Sequence, residues 1–538
     1  MTDKNRREFL QGLGAASIAL PFISPNTLPG IDTSPSNASP FLRDQFGARG
    51  LSPAEELKTY SNDRIAVHVP YEEDAKQSLE EWVDASGDRD VLRENDAIRT
   101  LTIRLPAGEV GGSLLGSHDL ESLDYLDPDE QLDANIEMTI PEPVDLDEEP
   151  DELLSFSGMA STVLNVFGWS DVATNEVAYD DAEPGTVREA AQHTGAPDSL
   201  VDTADTSAMT IAVIDTGFNT ADGEILGDTN RILDASTDYT APDDPTVAED
   251  GLDAVADGNG HGTHVASTIA ANPPDAAHDD YRGYAPDADL LILRALDDDG
   301  SGSTADISRA ITDAADEGAD LICMSLGSPI WSVELERSLA YAVGTGSVPV
   351  VAGGNNRSTP QPFVNSPGDG EYAITVAAGE VRPPEETRGG HFSAVAPDPG
   401  TVNFSDGETE GAGPDIAAPG VELTALTADT TGSLDEETLS GTSMAAPCVV
   451  GGLALVQAES NVEEFEEMED RLTDHAAPAP KLGIHEAGAG WLDVEATIEE
   501  TEPDETQADA RTDEAQARDE SWAALSSAYG SDVARYFL

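Results

Sequence analysis

The chain has 538 residues, 39% of them hydrophobic, with 26 Lys plus Arg against 106 Asp plus Glu and a net charge of −80. That balance excludes nucleic acid as a default partner, because phosphate contacts need cationic side chains, while the apolar share still allows a sizeable core. Cys323 and Cys448 are the only cysteines, which excludes a disulfide scaffold and a Cys-rich structural zinc site.

The acid excess runs along the whole chain, and lysine occurs only at positions 4, 58, 76 and 481. Such a fold repels itself in dilute buffer, whereas at about 1 M salt the Debye length of roughly 3 Å screens the repulsion. A salt-adapted protein is the expectation; long apolar runs through the middle of the chain argue against a disordered polyanion. At the N-terminus, Arg6-Arg7-Glu8-Phe9-Leu10 precedes a short apolar run broken by glycine and Pro21, so residues 1–30 resemble a twin-arginine export signal. The run is too short to span a bilayer, and no other segment is apolar enough to do so.

Residues 57–133 predict a small α+β unit. Ile65, Val67 and Val69 alternate as a strand, Leu79, Trp82 and Val83 sit at helical spacing, Leu101, Ile103 and Leu105 alternate again, and residues 123–126 supply a closing strand. An acidic linker follows over 127–160. Between about 210 and 495, short β-rich runs alternate with Ala-rich helical patterns, the signature of a parallel sheet flanked by helices, in a domain covering 160–500. The acidic tail, 501–538, ends with Trp522, Leu525, Tyr529, Val533 and Tyr536 at helical spacing.

Three strings carry chemistry. Residues 210–217 form a buried strand ending in Asp215-Thr216-Gly217; aspartic proteases carry the same tripeptide, but they need a second copy and none exists here. In Asn259-Gly260-His261-Gly262-Thr263-His264-Val265-Ala266, the glycines put His261 in the first turn of a helix, where the dipole favours the neutral imidazole of a general base. A zinc pair of His261 and His264 is the competing reading, but it lacks a third ligand, and a buried, satisfied role suits His264 better. In Leu439-Ser440-Gly441-Thr442-Ser443-Met444-Ala445-Ala446-Pro447, Gly441 permits a sharp turn that stands Ser443 at a helix start.

Together the three strings resemble the subtilisin-like serine proteases (subtilases, peptidase family S8), in the order Asp, His, Ser. The export signal and acidity are most similar to the halolysin branch, and residues 57–133 resemble the family's inhibitor-type propeptide. The resemblance implies that Asp215 orients His261, that His261 takes the proton of Ser443, and that Ser443 attacks the peptide carbonyl. It also implies that Asn355, in the Gly354-Asn355 that ends a strand, donates to the oxyanion. In subtilisin, losing that donor costs about 10²–10³ in turnover. Substrate would pair with Ser325, Leu326 and Gly327 and with Gly300, Ser301 and Gly302, and Ala352, Gly353 and Gly354 would help wall a roomy, apolar primary pocket.

The implied protein is an exported, extracellular serine endopeptidase acting on proteins or peptides, with its own propeptide as a partner and no cofactor in the chemistry. A narrow processing protease and a catalytically silent binding relative are the alternatives. Departures include Ser267 where the family usually has Gly, an acidic insertion over 233–257, and the lack of the usual Asn-rich calcium loop over 272–283. Asp275, Asp279 and Asp280 are the candidates for a structural calcium, with a solvated loop as the other reading. Cys323 and Cys448 flank the substrate strand and the serine helix, which leaves a pair or two buried thiols open.

Overall fold

The computed structural model describes residues 64–71, 76–106, 133–134, 137–140, 177–178 and, with short gaps, 182–519. The export signal, most of the acidic linker, residues 123–126 and the terminal helix at 522–536 lie outside the described residues. The described chain forms two compact units, one ending before residue 137 and the other running from 137 to 519.

The first unit is an antiparallel sheet of β1 (Arg64–Pro70), β2 (Asp90–Asn95), β3 (Thr100–Pro106) and β4 (Asp133–Ala134), in the order β2-β3-β1-β4, with helix α1 (Lys76–Asp84). Alternation decides its two faces. Val67 and Val69 stand opposite Ile103 and Leu101, and all four are buried. One residue out of phase, His68 faces Thr102 and meets its hydroxyl at 2.9 Å. Strand β2 breaks the apolar alternation with charged residues, so it carries no period-2 signal and sequence patterning passes over it.

The second unit is built on six parallel strands. In spatial order they are β7 (Asp289–Arg294), β6 (Thr210–Asp215), β9 (Leu321–Met324), β10 (Val348–Ala352), β11 (Ile374–Glu380) and β12 (Ile416–Val421). These runs are buried nearly throughout, as strands covered on both faces must be. The sheet is mixed rather than purely parallel: Thr246–Val247 and Gly389–Gly390 pair antiparallel at its margins, where a short return strand needs no crossover helix. Chain order reverses direction around β6, with β7 on one side and β9 on the other. Sites in such sheets form outside the carboxyl ends of the strands at that switch.

Three helices set the site. Helix α2 (His261–Ala270) and helix α5 (Thr442–Ser460) are buried all round over most of their length, as central helices are. Helix α3 (Thr304–Asp316) starts directly after strand β8 (Ser301–Ser303). Pro447 sits inside α5 rather than at its first position. Having no N–H, it cannot bond the carbonyl four residues back, that of Ser443. A hairpin, β13 (Leu423–Ala428) and β14 (Leu434–Leu439), packs beside α2 and leads into the serine turn.

Candidate active site

Asp215 is the last residue of β6 and His261 the first of α2. His261 Nδ1–H donates to Asp215 Oδ1 at 2.8 Å, and Asp215 Oδ1 also accepts from Thr216 N at 2.7 Å. The close approach is possible because two glycines remove side chains. A Cβ on Gly262 would stand 2.3 Å from the Gly217 carbonyl oxygen, and Gly217 itself has φ +119°.

Behind this pair lies Asp257, at the end of the acidic insertion. Its Oδ1 accepts from Thr216 Oγ1, Asn259 N and Gly260 N at 2.8–3.0 Å, and its Oδ2 from Thr263 N and Oγ1 at 2.8 and 2.7 Å. The carboxylate therefore satisfies orphan amides at the start of α2 and ties the Asp215 turn to the His261 helix. The sequence hides it, because an aspartate in an acidic insertion looks like one more solvated charge. A signal was present: an Asp four residues before a helical His stands at the helix start.

Burial lowers the His261 pKa, but the charge of Asp215 and its hydrogen bond outweigh that, and Asp257 and Glu437 add to the rise above the ordinary value. His261 Nε2 is buried and has no partner. His264 behaves differently. Burial, then the neighbouring His261, lowers its pKa to about 4, and its Nε2 meets the Leu423 carbonyl at 3.3 Å. With one nitrogen of each ring directed to a carboxylate or carbonyl, and no third ligand, the zinc-pair reading finds no support; among the described residues no three His, Cys, Asp or Glu cluster as a metal site.

Ser443 follows Gly441-Thr442 at the start of α5. Its hydroxyl donates to the Ser325 carbonyl at 3.3 Å, and Ser325 Oγ donates back to the Ser443 carbonyl at 2.8 Å. The second bond answers the vacancy left by Pro447, whose helix partner would have been that carbonyl. Ser325 lies one residue past β9, and pairing of Met324 with Ile214 sets it level with Asp215. The serine and the Asp–His pair thus meet at neighbouring strand ends, with the Ser443 hydroxyl turned toward Ser325 rather than bonded to His261.

Asn355 follows β10. Its Oδ1 accepts from Thr442 N at 2.9 Å and Thr442 Oγ1 at 3.0 Å, and Thr442 Oγ1 accepts from Gly354 N at 3.0 Å. Fixing the carbonyl end this way turns Nδ2 toward Gly441, where a Cβ would stand 3.0 Å away. Asn356 instead donates to the Phe363 carbonyl at 2.9 Å. Leu326, in the segment that follows β9, is buried.

The pocket between Ser325–Gly327 and Ala352–Gly354 is less open than the glycines suggest. Asn365 lies between its walls: a Cβ on Gly327 would be 3.1 Å from Asn365 Cβ, and one on Gly354 only 2.7 Å from Asn365 Nδ2. Asn365 N donates to the Gly353 carbonyl at 2.9 Å, and its Oδ1 is buried without a partner. A polar amide thus stands against glycines of both segments expected to wall an apolar pocket. The second segment expected to bind substrate is already paired: β5 (Glu137–Thr139) runs antiparallel to β8, with Thr139 opposite Ser301 and Met138 opposite Gly302. Ile140 N donates to the Gly300 carbonyl at 2.9 Å, and its buried side chain fills the space over Gly300.

Asp275, Asp279 and Asp280 do not converge as a cation site. Asp275 caps its own turn through Ala277 N, and the other two lie on an exposed 3₁₀ turn. Cys323 and Cys448 are both free, buried thiols, which burial pushes well above the ordinary cysteine value.

Comparison with known proteins gives the family and the fold. Residues 206–516 match the subtilase family, peptidase S8. The chain is 36% identical over 240 residues to a thermophilic serine proteinase of Bacillus sp. (strain AK1), covering 43% of this chain but only 53% of that relative. It is 30% identical over 291 residues to subtilisin BL of Lederbergia lenta, covering 54% of this chain and 90% of that one. In structure it is similar to fervidolysin from Fervidobacterium pennivorans, with a TM-score of 0.58 at 20% identity over 82% of this chain and 61% of that one, a likeness of fold. Because the family model matches more than half of the sequence, the chain belongs to the subtilase family.

Proposed function

We propose that the chain is a secreted, salt-adapted serine endopeptidase that acts on proteins or peptides and is matured by loss of its N-terminal segments. The observation that carries this reading is the meeting of the Asp215–His261 pair with Ser443 at the ends of adjacent strands. In the reaction, Ser443 Oγ leaves the Ser325 carbonyl and turns to the unpartnered His261 Nε2, which takes its proton as Oγ attacks the peptide carbonyl. Asp215 holds the Nδ1–H tautomer and stabilises the imidazolium. Ser443 N and Asn355 Nδ2 donate to the oxyanion; the amine leaves with the His261 proton, and water hydrolyses the acyl-enzyme. No cofactor is needed for these steps.

Substrate pairs with Gly300–Ser301–Gly302 on one side and Ser325–Leu326–Gly327 on the other. Pairing of 137–140 with Gly300–Ser303 supports a maturation route in which the chain's own strand lies in the substrate groove and the first cut falls shortly after Ile140. The unit over 64–134 is then the propeptide, residues 1–30 direct export, and the mature enzyme is extracellular with no membrane span. Among the described residues no helix is long and apolar enough to cross a membrane.

A fluorophosphonate probe tests the reading. The expected result is labelling of Ser443 in the mature protein, abolished by Ser443→Ala and slowed at least about 10³-fold by His261→Ala. A folded mature chain that stays unlabelled contradicts it and favours a silent binding relative.

A further inference from the structure

Past α5 the chain returns to the site through a buried ionic cluster that the serine, histidine and aspartate do not use. Glu486, in the short helix Ile484–Ala487, is 4% exposed; Arg357, two residues after Asn355, is 5% exposed; Arg518, near the end of the described chain, is 7% exposed. Glu486 Oε1 accepts from Arg357 Nη2 at 2.5 Å and from Arg518 Nε at 2.9 Å, and its Oε2 accepts from Arg518 Nη2 at 3.1 Å and Gly483 N at 2.8 Å. All the acceptor sites of the carboxylate are thereby used, and Arg518 grips it with both arms of its fork. Arg518 Nη2 also donates to the Lys481 carbonyl.

The segment carrying Arg518 is anchored further. Thr512 N donates to the Pro480 carbonyl, Arg511 pairs with Asp519 at 3.2 Å, and Asp519 Oδ1 accepts from His485 N. On the other side, the turn at Phe392 and the segment after it hold the Asn355 loop: Arg357 N donates to the Phe392 carbonyl, Ala394 N to the Gly354 carbonyl, and Ala396 N to the His485 carbonyl. The loop bearing Asn355 therefore leans on a framework that includes Arg518, two residues beyond the last one matched to the family.

We propose that the segment carrying Arg511, Thr512, Arg518 and Asp519 acts as a strap in which Arg518, by fixing Glu486 against Arg357, positions the Asn355 amide for the oxyanion. An oxyanion donor must be held to within about 0.5 Å of its productive place, and a loop alone holds it less well than one locked from behind. The buried cluster is screened little by salt, so it works in the medium that weakens surface pairs. Arg518 is a positioning residue; it acts through Asn355, and the proposal rests on the role given to Asn355 above.

A double-mutant cycle in the full-length chain tests this, with kcat and KM measured on a peptide nitroanilide per active site titrated by fluorophosphonate. Arg518→Met is expected to lower kcat about tenfold with KM within about twofold in the wild-type background, and by less than about twofold when Asn355 is already alanine. Arg518→Lys keeps the charge that neutralises Glu486 but loses the fork, so it folds readily and is expected to show a smaller loss with the same dependence on Asn355. Equal losses in both backgrounds, or no loss of kcat in either Arg518 variant, overturn the strap while leaving the peptidase reading intact. Failure of the wild-type chain to label or turn over overturns that reading, and the strap with it.

Discussion

The imidazole of His261 is held above its ordinary pKa because carboxylates face it from three elements: Asp215 from β6, Asp257 from the loop before α2, and Glu437 from the hairpin. A general base must be neutral, so activity rises as pH increases through this raised value, and the acid limb of kcat/KM lies above about 6.5. Glu437→Gln removes a negative neighbour that favours the imidazolium. The acid limb of the variant is expected to move to lower pH by less than one unit, and by less in molar salt than in 0.1 M. A pH–rate profile at two salt concentrations checks both the sign and the screening. At the pocket, Asn365 sets depth rather than charge: Asn365→Gly is expected to raise kcat/KM for Phe relative to Leu before the cut by roughly tenfold, read from a panel of nitroanilides. An unchanged ratio would show that Asn365 does not bound the pocket.

The elements divide into those whose role local sequence displays and those it hides. Asp215, His261 and Ser443 are legible because each marks a strand end or a helix start, and strand end, glycine turn and helix follow within a few residues. The contacts that hold them are not. Thr216 meets Asp257 across 41 residues, Ser325 meets Ser443 across 118, and Arg357 meets Glu486 across 129, and none of these pairs leaves a periodic trace. Strands β6, β7, β10 and β11 announce themselves as apolar runs, while β2 is too charged to do so. In the first unit, burial lowers the His68 pKa to about 3. The unfolded chain binds a proton near pH 6.5 that the folded unit refuses, so its stability is full above that value and falls by about 1.4 kcal/mol per pH unit below it. In the Ser443→Ala precursor, amide protection in β3 is expected to drop about tenfold per unit from pH 6.5 to 5, and His68→Asn to flatten that slope. Protection that does not change with pH would place His68 outside the stability balance.

For the molecule as a whole, a net charge of −80 carries the proposal of salt adaptation. With 106 acidic against 26 basic residues, most carboxylates cannot be matched by a basic side chain and must be offset by solvent cations. Activity and circular dichroism are expected to fall together when salt drops from molar to about 0.1 M, where screening reaches only to roughly 10 Å; full activity after prolonged dialysis would contradict this. In the proposed maturation, Ser443, armed by His261, cuts the chain's own strand from the groove beside Gly300–Ser303. A parallel sheet whose site residues are far apart in sequence folds slowly, and a strand already seated in the groove makes the first cut intramolecular. The most direct measurement is intact mass and N-terminal sequencing of the wild-type and Ser443→Ala chains, purified free of other proteases in high salt. The expected result is a wild-type chain beginning shortly after Ile140 and a folded, uncut alanine variant. An alanine variant that matures at the same bond would contradict the assignment of Ser443.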